Sequence, residues 1–271
     1  METVEVNDVS IPALGFGTAR MTGRECRKAV QSALELGYRH IDTAQLYENE
    51  ETVGEAITRS DIDRAELFVV TKVRRDYLAY DDVITSVQES LDRLGTTIDL
   101  LLIHAPSSSV PIAESIEAMN ELQSAGSVSH IGVSNFSVDE LEEAISASET
   151  PIITNQVAYH PFRGQGELLQ SCLTNEVMLT AHTPLAKQDV LGDELLQAIG
   201  DRYGKNEAQV ALRWLLQQEL VCAIPKAASR THQAENLDIF DFRLTPEEMV
   251  RIFSLHGGID PRLRNRLGLT D

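Results

Sequence analysis

The chain has 271 residues, 42% of them hydrophobic, and carries 42 acidic against 23 basic residues for a formal net charge of −19. The length fits one large domain or two smaller ones, and no apolar run reaches the roughly 18–20 residues of a membrane span. So acidic a surface repels nucleic acid and anionic membranes, which excludes binding to either as a primary task.

The amino terminus, Met1-Glu2-Thr3-Val4-Glu5, has neither the basic nor the apolar region of a signal peptide. Cys26, Cys172 and Cys222 are odd in number and far apart, which argues against a disulfide framework or zinc ribbon and for a reducing, cytoplasmic setting. Only Lys28, Lys72, Lys187, Lys205 and Lys226 are lysines. An acidic, Lys-poor, Arg-using surface suits molar salt, where charge repulsion is screened over about 3 Å. A salt-loving cytoplasm is therefore expected, with an ordinary acidic cytosolic protein as the alternative.

Residues 4–11 read as a hairpin turning at Asn7-Asp8. A first strand follows at 14–17, and a helix over 24–36 stops at Gly37. The second strand, 40–42, leads to a helix over 49–57, and the third, 67–71, to a helix over 81–94 closed by Gly95. The fourth strand is 100–104, with a helix over 111–124 that has Pro111 near its first position. The fifth is 130–133 with a helix over 138–147, and the sixth 152–157 with a helix over 167–174. The seventh, 177–181, precedes helices over 194–203 and 207–218. The eighth is 221–224, then come a helix from 231 to 237 and another opened by Thr245-Pro246-Glu247-Glu248, a capping-box pattern. Eight short strands alternating with helices predict an α/β fold with a parallel sheet. The expected form is a (β/α)8 TIM barrel over residues 1–271, one domain, with the hairpin capping its N-terminal end. A doubly wound open sheet is the alternative, but Gly15-Phe16-Gly17-Thr18 lacks the third glycine of a dinucleotide-binding turn.

Three of these strands end in unexpected polarity. Asp42 and Tyr47 follow the second, Lys72 ends the third and His104 the fourth. In a parallel barrel the strand ends converge on one site, and polar residues there read as catalytic. Tyr is a weak acid, with an ordinary pKa near 10, and a neighbouring ammonium stabilises its phenolate. Lys72 can supply that charge and make the phenol acidic nearer neutral pH. Asp42 can hold Lys72 as a buried ion pair. Tyr47 then donates a proton to a carbonyl oxygen that gains charge as hydride arrives, and His104 aims the carbonyl. Taken singly, each residue is commonly a solvated or packed loop residue; their joint occurrence carries the reading. A hydrolase with paired carboxylates would need a second acid at the strand ends, and only Asp42 qualifies. The histidines do not cluster at metal-ligand spacing, so no metal is implied.

Longer motifs resemble the aldo-keto reductase family. They run from Gly37-Tyr38-Arg39-His40-Ile41-Asp42-Thr43-Ala44 through Tyr47-Glu48-Asn49-Glu50 and Val53-Gly54-Glu55-Ala56-Ile57. Val70-Thr71-Lys72, Ile103-His104, Ile131-Gly132-Val133-Ser134-Asn135-Phe136, Asn155-Gln156-Val157, Tyr159-His160-Pro161 and Ile224-Pro225-Lys226 follow in family order. The resemblance implies a monomeric barrel that binds NADP(H), or NAD(H), without a Rossmann domain, and reduces a small-molecule carbonyl. It implies that Gly17, Thr18 and Asp42 lie along the cofactor and that Ser134, Asn135 and Gln156 hold the nicotinamide carboxamide. It places His182 under the nicotinamide ring and Pro184 and Leu185 along the pyrophosphate, and counts Thr183, Ile224, Pro225, Lys226 and Ala227 among the cofactor-binding residues. Lys226 falls where the family carries a cation for the 2′-phosphate, and Glu235 and Asn236 at the adenine end. A non-catalytic cofactor-binding subunit on the same barrel is the alternative function.

Some positions depart from the family pattern. An aromatic residue, most often Tyr, is usual where this chain has His182, which stacks with less area. The usual 2′-phosphate Arg is replaced by His232, with Arg230 two residues earlier as a candidate replacement. Ala19 and Ala105 stand where family members often carry Trp. With Tyr47 and His104 they would line the substrate site. Residues 106–110 are short and Ser-rich, and 257–271 are brief, so an open site for small aldehydes or ketones is expected. Trp214 is expected in the core.

Overall fold

The computed structural model describes residues 2–269. Its first two strands, β1 (Thr3–Val6) and β2 (Val9–Pro12), form an antiparallel hairpin. Asn7 and Asp8 turn it with φ of 46° and 63°, the left-handed pair that a two-residue hairpin turn demands. The next eight strands pair in parallel and in chain order: β3 (Phe16–Gly17), β4 (His40–Asp42), β5 (Phe68–Val73), β6 (Ile98–Ile103), β7 (Val128–Ser134), β8 (Ile152–Ala158), β9 (Met178–His182) and β10 (Val221–Ala223). The last strand then meets the first. Gly15 N donates to Ala223 O at 2.8 Å, Ala223 N to Ala13 O at 2.9 Å and Gly17 N to Pro225 O at 3.1 Å. The sheet is thus a closed (β/α)8 barrel, which rules out the open doubly wound alternative.

Glycine makes that closure possible. A Cβ on Gly17 would stand 2.9 Å from Ile224 O, and one on Gly15 would stand 2.8 Å from the His40 ring. The helices α1 (Gly23–Leu36), α2 (Glu50–Thr58), α3 (Tyr80–Leu94), α4 (Ile112–Ser124), α5 (Val138–Ala147), α6 (Gly166–Thr174), α7 (Glu194–Tyr203), α8 (Glu207–Leu216) and α9 (Arg230–Leu237) wrap the outside. Then come α10 (Pro246–Phe253) and α11 (Pro261–Arg266). The expected stops hold: Gly37 closes α1 at φ 110° and Gly95 closes α3 at φ 60°. Thr245 and Glu248 form the full capping box of α10. Two differences are small. Pro111 caps α4 from just outside instead of entering it, and α11 is a helix that the sequence pattern does not predict.

Strand alternation sorts the core into two layers. Phe68 and Val70 of β5, Leu100 and Leu102 of β6, Met178 and Cys222 pack inside the barrel against Val6 and Ile11 of the hairpin. The hairpin therefore plugs the N-terminal end, as expected. Val69, Val73, Leu101, Ile103 and Leu179 point outward into the helical layer, where Trp214 is fully buried. Toward the C-terminal mouth the inward-facing positions are taken by Asp42, Lys72 and His104.

Candidate active site

Lys72 is fully buried, and its Nζ donates to Asp42 Oδ1 at 2.6 Å and to Thr43 O at 2.8 Å. The other carboxylate oxygen, Oδ2, accepts from Gln156 Nε2 at 2.8 Å. Both Asp42 oxygens are therefore used, which fixes the ammonium in place. Burial alone would depress the lysine pKa, but attraction to Asp42 and Tyr47 outweighs it and holds the ammonium above its ordinary value. Nζ lies 5.2 Å from the centre of the Tyr47 ring. The Tyr47 and His104 rings meet edge to face, centroids 5.6 Å apart at 87°. The structure thus brings Asp42, Tyr47, Lys72 and His104 together, the first and third buried, the other two half-exposed at the mouth.

The acidity expected of Tyr47 needs correction. Burial raises its pKa more than the Lys72 charge and hydrogen bond lower it, with Asp42 adding to the rise. The phenol stays protonated near neutral pH, the state a proton donor needs. Lys72 limits the rise without reversing it. His104 is pulled down to about 4, first by burial and then by the Lys72 charge. Its ring is neutral at pH 7. Its Nδ1 is buried without a partner, so placing the N–H on Nε2 avoids an orphaned donor.

Tyr47 sits on a pinned turn. Thr43 Oγ1 donates to Asn49 Oδ1 at 2.6 Å, and Asn49 Nδ2 donates to Thr18 O at 3.0 Å and Met21 O at 2.9 Å. Gln45 Nε2 donates to Ser86 O at 3.1 Å and Ser90 Oγ at 3.0 Å. Glu50, nearly inaccessible, accepts from Thr71 Oγ1 at 2.5 Å and Arg93 Nε at 2.8 Å. Asn49 and Glu50 lie inside the Tyr47-Glu48-Asn49-Glu50 motif, but the sequence pattern assigns no role to them or to Gln45. The available signal was polarity directly after a strand, with no loop long enough to solvate it.

The residues expected around a cofactor occupy the neighbouring strand ends. Ser134 Oγ donates to Gln156 O at 2.8 Å, and Asn135 Nδ2 donates to His104 O at 2.9 Å and Ser134 Oγ at 3.0 Å. His182 meets Asn135 Oδ1 through Nε2 at 3.1 Å and Thr183 Oγ1 through Nδ1 at 3.0 Å. Its pKa falls to about 4, from burial first and then Lys72, so it too is neutral. Asn135 and the β-branched Thr183 hold φ of 61° and 54°, conformations uncommon outside glycine. Thr18 is buried and donates to Asp42 O through both N and Oγ1. Gly17, Ile224 and Pro225 form the seam that closes the barrel. Pro184 and Ala227 are buried, and Leu185, Ala19 and Ala105 half-buried. Lys226 is exposed, and no partner is found for it among the described residues. Arg230 does not stand free beside it: Nη1 donates to Glu35 Oε2 at 2.7 Å and Ser32 Oγ at 3.3 Å. His232 is exposed in the first turn of α9, Glu235 is half-buried and Asn236 buried.

The donor set suits a nicotinamide dinucleotide. Ser134, Asn135 and Gln156 offer the amide and hydroxyl groups that a carboxamide requires, while Lys226 and His232 offer cationic or hydrogen-bonding groups at the rim for a phosphate. Asn135 and Gln156 now bond within the protein, and those bonds would be exchanged on binding. An open depression of about 570 Å³ lies beside Asn135, Phe136, Val157 and Arg163, flanking the tetrad and not covering it. Among the described residues no group of three or more His, Cys, Asp or Glu is placed to hold a metal ion, and no helix is long and apolar enough to cross a membrane.

A closed parallel barrel whose inward strand ends gather an acid, an ammonium and a neutral imidazole defines a barrel enzyme equipped for proton transfer at its C-terminal mouth. The chain belongs to the aldo/keto reductase family, whose model matches residues 13–256. It is 40% identical over 259 residues to an aldo-keto reductase of Mycobacterium avium, covering 94% of this chain and 90% of the relative. It is 38% identical over 258 residues to the glyoxal reductase of Bacillus subtilis, covering 94% and 93%. A crystal structure provisionally assigned as a 2,5-diketo-D-gluconic acid reductase B superposes with a TM-score of 0.93 at 49% identity, covering 97% of this chain and 93% of that one. The chain is thus an oxidoreductase of the aldehyde/ketone reductase type, a family that uses nicotinamide cofactors.

Proposed function

We propose that the protein reduces small aldehydes and ketones with NADPH, with Tyr47 as the general acid. The buried Lys72–Asp42 pair against the Tyr47 ring carries this reading. The bound nicotinamide supplies the hydride. The chain's own residues manage the proton and the charge. Tyr47, kept protonated by burial, gives its proton to the carbonyl oxygen as negative charge develops there. Lys72 stabilises the phenolate left behind, and Asp42 keeps the ammonium aligned. Neutral His104 donates from Nε2 to the same oxygen and orients the carbonyl. Ser134, Asn135 and Gln156 would hold the carboxamide, and His182 the ring. Lys226, free of any protein anion, supports the 2′-phosphate and hence NADPH over NADH. Arg230, engaged by Glu35, adds little to it.

Small side chains at Ala19 and Ala105 leave the mouth open, which suits short or aromatic carbonyls. The Bacillus subtilis relative's named substrate, glyoxal, is of that kind. We further propose a monomer, one domain over residues 1–271, working in a cytoplasm rich in salt. Free, buried Cys26, Cys172 and Cys222 are compatible with a reducing compartment.

The test is NADPH and NADH oxidation with a panel of short aliphatic and aromatic aldehydes and polycyclic ketones, using wild type and Tyr47→Phe. The wild type should turn over the small carbonyls with a lower KM for NADPH. Tyr47→Phe should lose about a hundred-fold or more in kcat, with the NADPH dissociation constant, read by fluorescence titration, essentially unchanged. Near-normal turnover in that variant rules out Tyr47 as the acid.

A further inference from the structure

The peptide plane between Val73 and Arg74, directly after Lys72 and its strand, is gripped from both sides. On the β6 side Val73 O accepts from His104 N at 3.0 Å. On the β4 side Arg74 N donates to the Gln45 side chain, Oε1, at 2.9 Å. Alternate backbone N–H groups of β5 face β4, as Phe68 N does in donating to Arg39 O at 2.7 Å. Arg74 N continues that series past the end of β4 at Asp42, where the chain has entered the short 3-10 turn Gln45–Tyr47. The next backbone acceptor in the series, Gln45 O, is turned to Glu48 N at 3.2 Å. The Gln45 amide supplies the missing rung in its place.

The same amide is held at its other end. Nε2 donates to Ser86 O at 3.1 Å and Ser90 Oγ at 3.0 Å on α3. Gln45 is buried, and Tyr47 closes its turn two residues on, with Tyr47 N donating to Ala44 O at 3.0 Å. One side chain thus joins the turn of Tyr47 to the peptide that follows Lys72 and receives the His104 backbone. Aromatic contacts tolerate centroid separations of roughly 4.5–7 Å, so the ring contacts of Tyr47 leave its hydroxyl loosely placed. Hydrogen bonds hold donor and acceptor to about 2.7–3.2 Å, and three of them on one buried amide fix the turn. Asn49 and Glu50 anchor the same turn to Thr18, Met21, Thr71 and Arg93. Gln45 is the anchor that reaches the peptide shared with His104.

We propose that Gln45 is a positioning residue, which sets the Tyr47 hydroxyl against Lys72 and His104 through the Val73–Arg74 peptide and so aims the proton transfer without touching substrate or cofactor. A reacting group misplaced by about 1 Å loses on the order of a hundred-fold in rate. This role presupposes the reductase reading with Tyr47 as the acid, and adds the group that aims it.

Two variants separate positioning from stability. Gln45→Met keeps the length of the side chain and removes all three hydrogen bonds. Gln45→Glu keeps the acceptor for Arg74 N, gives up the amide donors, and sets a second carboxylate near Glu50, whose Oε2 accepts from Ser90 Oγ at 3.3 Å. Both are compared with wild type in kcat and KM for the panel aldehyde that wild type reduces fastest, in NADPH dissociation constant and in melting temperature. Gln45→Met should lose about ten- to a hundred-fold in kcat, with KM and the NADPH dissociation constant within about two-fold of wild type. Gln45→Glu should melt no higher than Gln45→Met, yet turn over at least about three-fold faster. A wild-type kcat in Gln45→Met, a loss carried by KM or by cofactor affinity, or kcat values that follow the melting temperatures of the two variants, overturns the proposal and leaves the reductase reading intact. Absence of turnover with every panel carbonyl in wild type, or undiminished turnover in Tyr47→Phe, overturns that reading and the proposal with it. Should Gln45→Met not fold, Gln45→Asn, whose amide is one methylene too short to reach both partners, replaces it with the same expected results.

Discussion

Lys72 is held out of water by one carboxylate, one carbonyl and the face of a phenol ring. Removing one partner of a buried pair leaves an uncompensated charge, which typically costs about 3–5 kcal/mol. Asp42→Asn is therefore expected to lower the unfolding free energy read by urea titration by that order as well as to abolish activity; an unchanged urea midpoint contradicts the role given to the pair. His104 and His182 make a second, pH-dependent contribution. Their folded pKa values, about 4, lie below the ordinary 6.5. The unfolded chain thus binds more protons between those values. The stability they contribute is fully present above about pH 6.5 and is lost as pH falls toward 4. A variant with both changed to Asn should show a shallower decline in melting temperature between pH 6.5 and 5 than wild type. At this scale the sequence spoke unevenly. Asp42, Lys72 and His104 were legible because a charge at the end of an apolar strand is costly to bury unless it has a partner and a task. The net rise in the Tyr47 pKa was not, because it depends on how much of the phenol the folded mouth covers.

Helix α2 approaches α3 through Gly54, where a Cβ would stand 2.0 Å from Leu94 O. No side-chain motion relieves a clash with backbone. Gly54→Ala should therefore force the two helices apart, at the upper end of the roughly 1–3 kcal/mol of an overpacked core or beyond, read as a lower melting temperature. A variant as stable as wild type would show that the helices can separate freely. Most elements were readable from punctuation. Gly37 and Gly95 end helices because each takes a left-handed φ, and Thr245 caps α10 with Glu248 as its reciprocal partner. The helix α11 escaped because its six residues bury only Leu263 and show no apolar period. The turn carrying Tyr47 also escaped. Its order comes from Asn49 reaching back to Thr18 and Met21, more than twenty residues away in the chain.

The whole molecule carries its acidity on a closed barrel, and the repulsion among those charges opposes the compact state. Added KCl screens that repulsion, so the melting temperature should climb between low and molar salt; a flat curve removes the salt-adapted reading. Strain is also distributed at this scale. Among the described residues, seven of the eleven non-glycine positions with positive φ, from Arg20 through Gln188, lie on loops at the barrel mouth. Conformations that cost free energy are thus concentrated at the mouth that carries the proposed site.

By itself the sequence determined the alternation of strands and helices, the hairpin cap and the strand ends that carry the tetrad. Each of these comes from local periodicity or from polarity set against an apolar run. Only the tertiary structure decided that the sheet closes, because closure depends on Gly15 and Gly17 meeting Ala223 and Pro225 across some two hundred residues. It likewise decided which charges remain available. Arg230 is taken by Glu35, while Lys226 is exposed with no partner among the described residues, since ion pairs are made between helices and loops that the fold alone brings together.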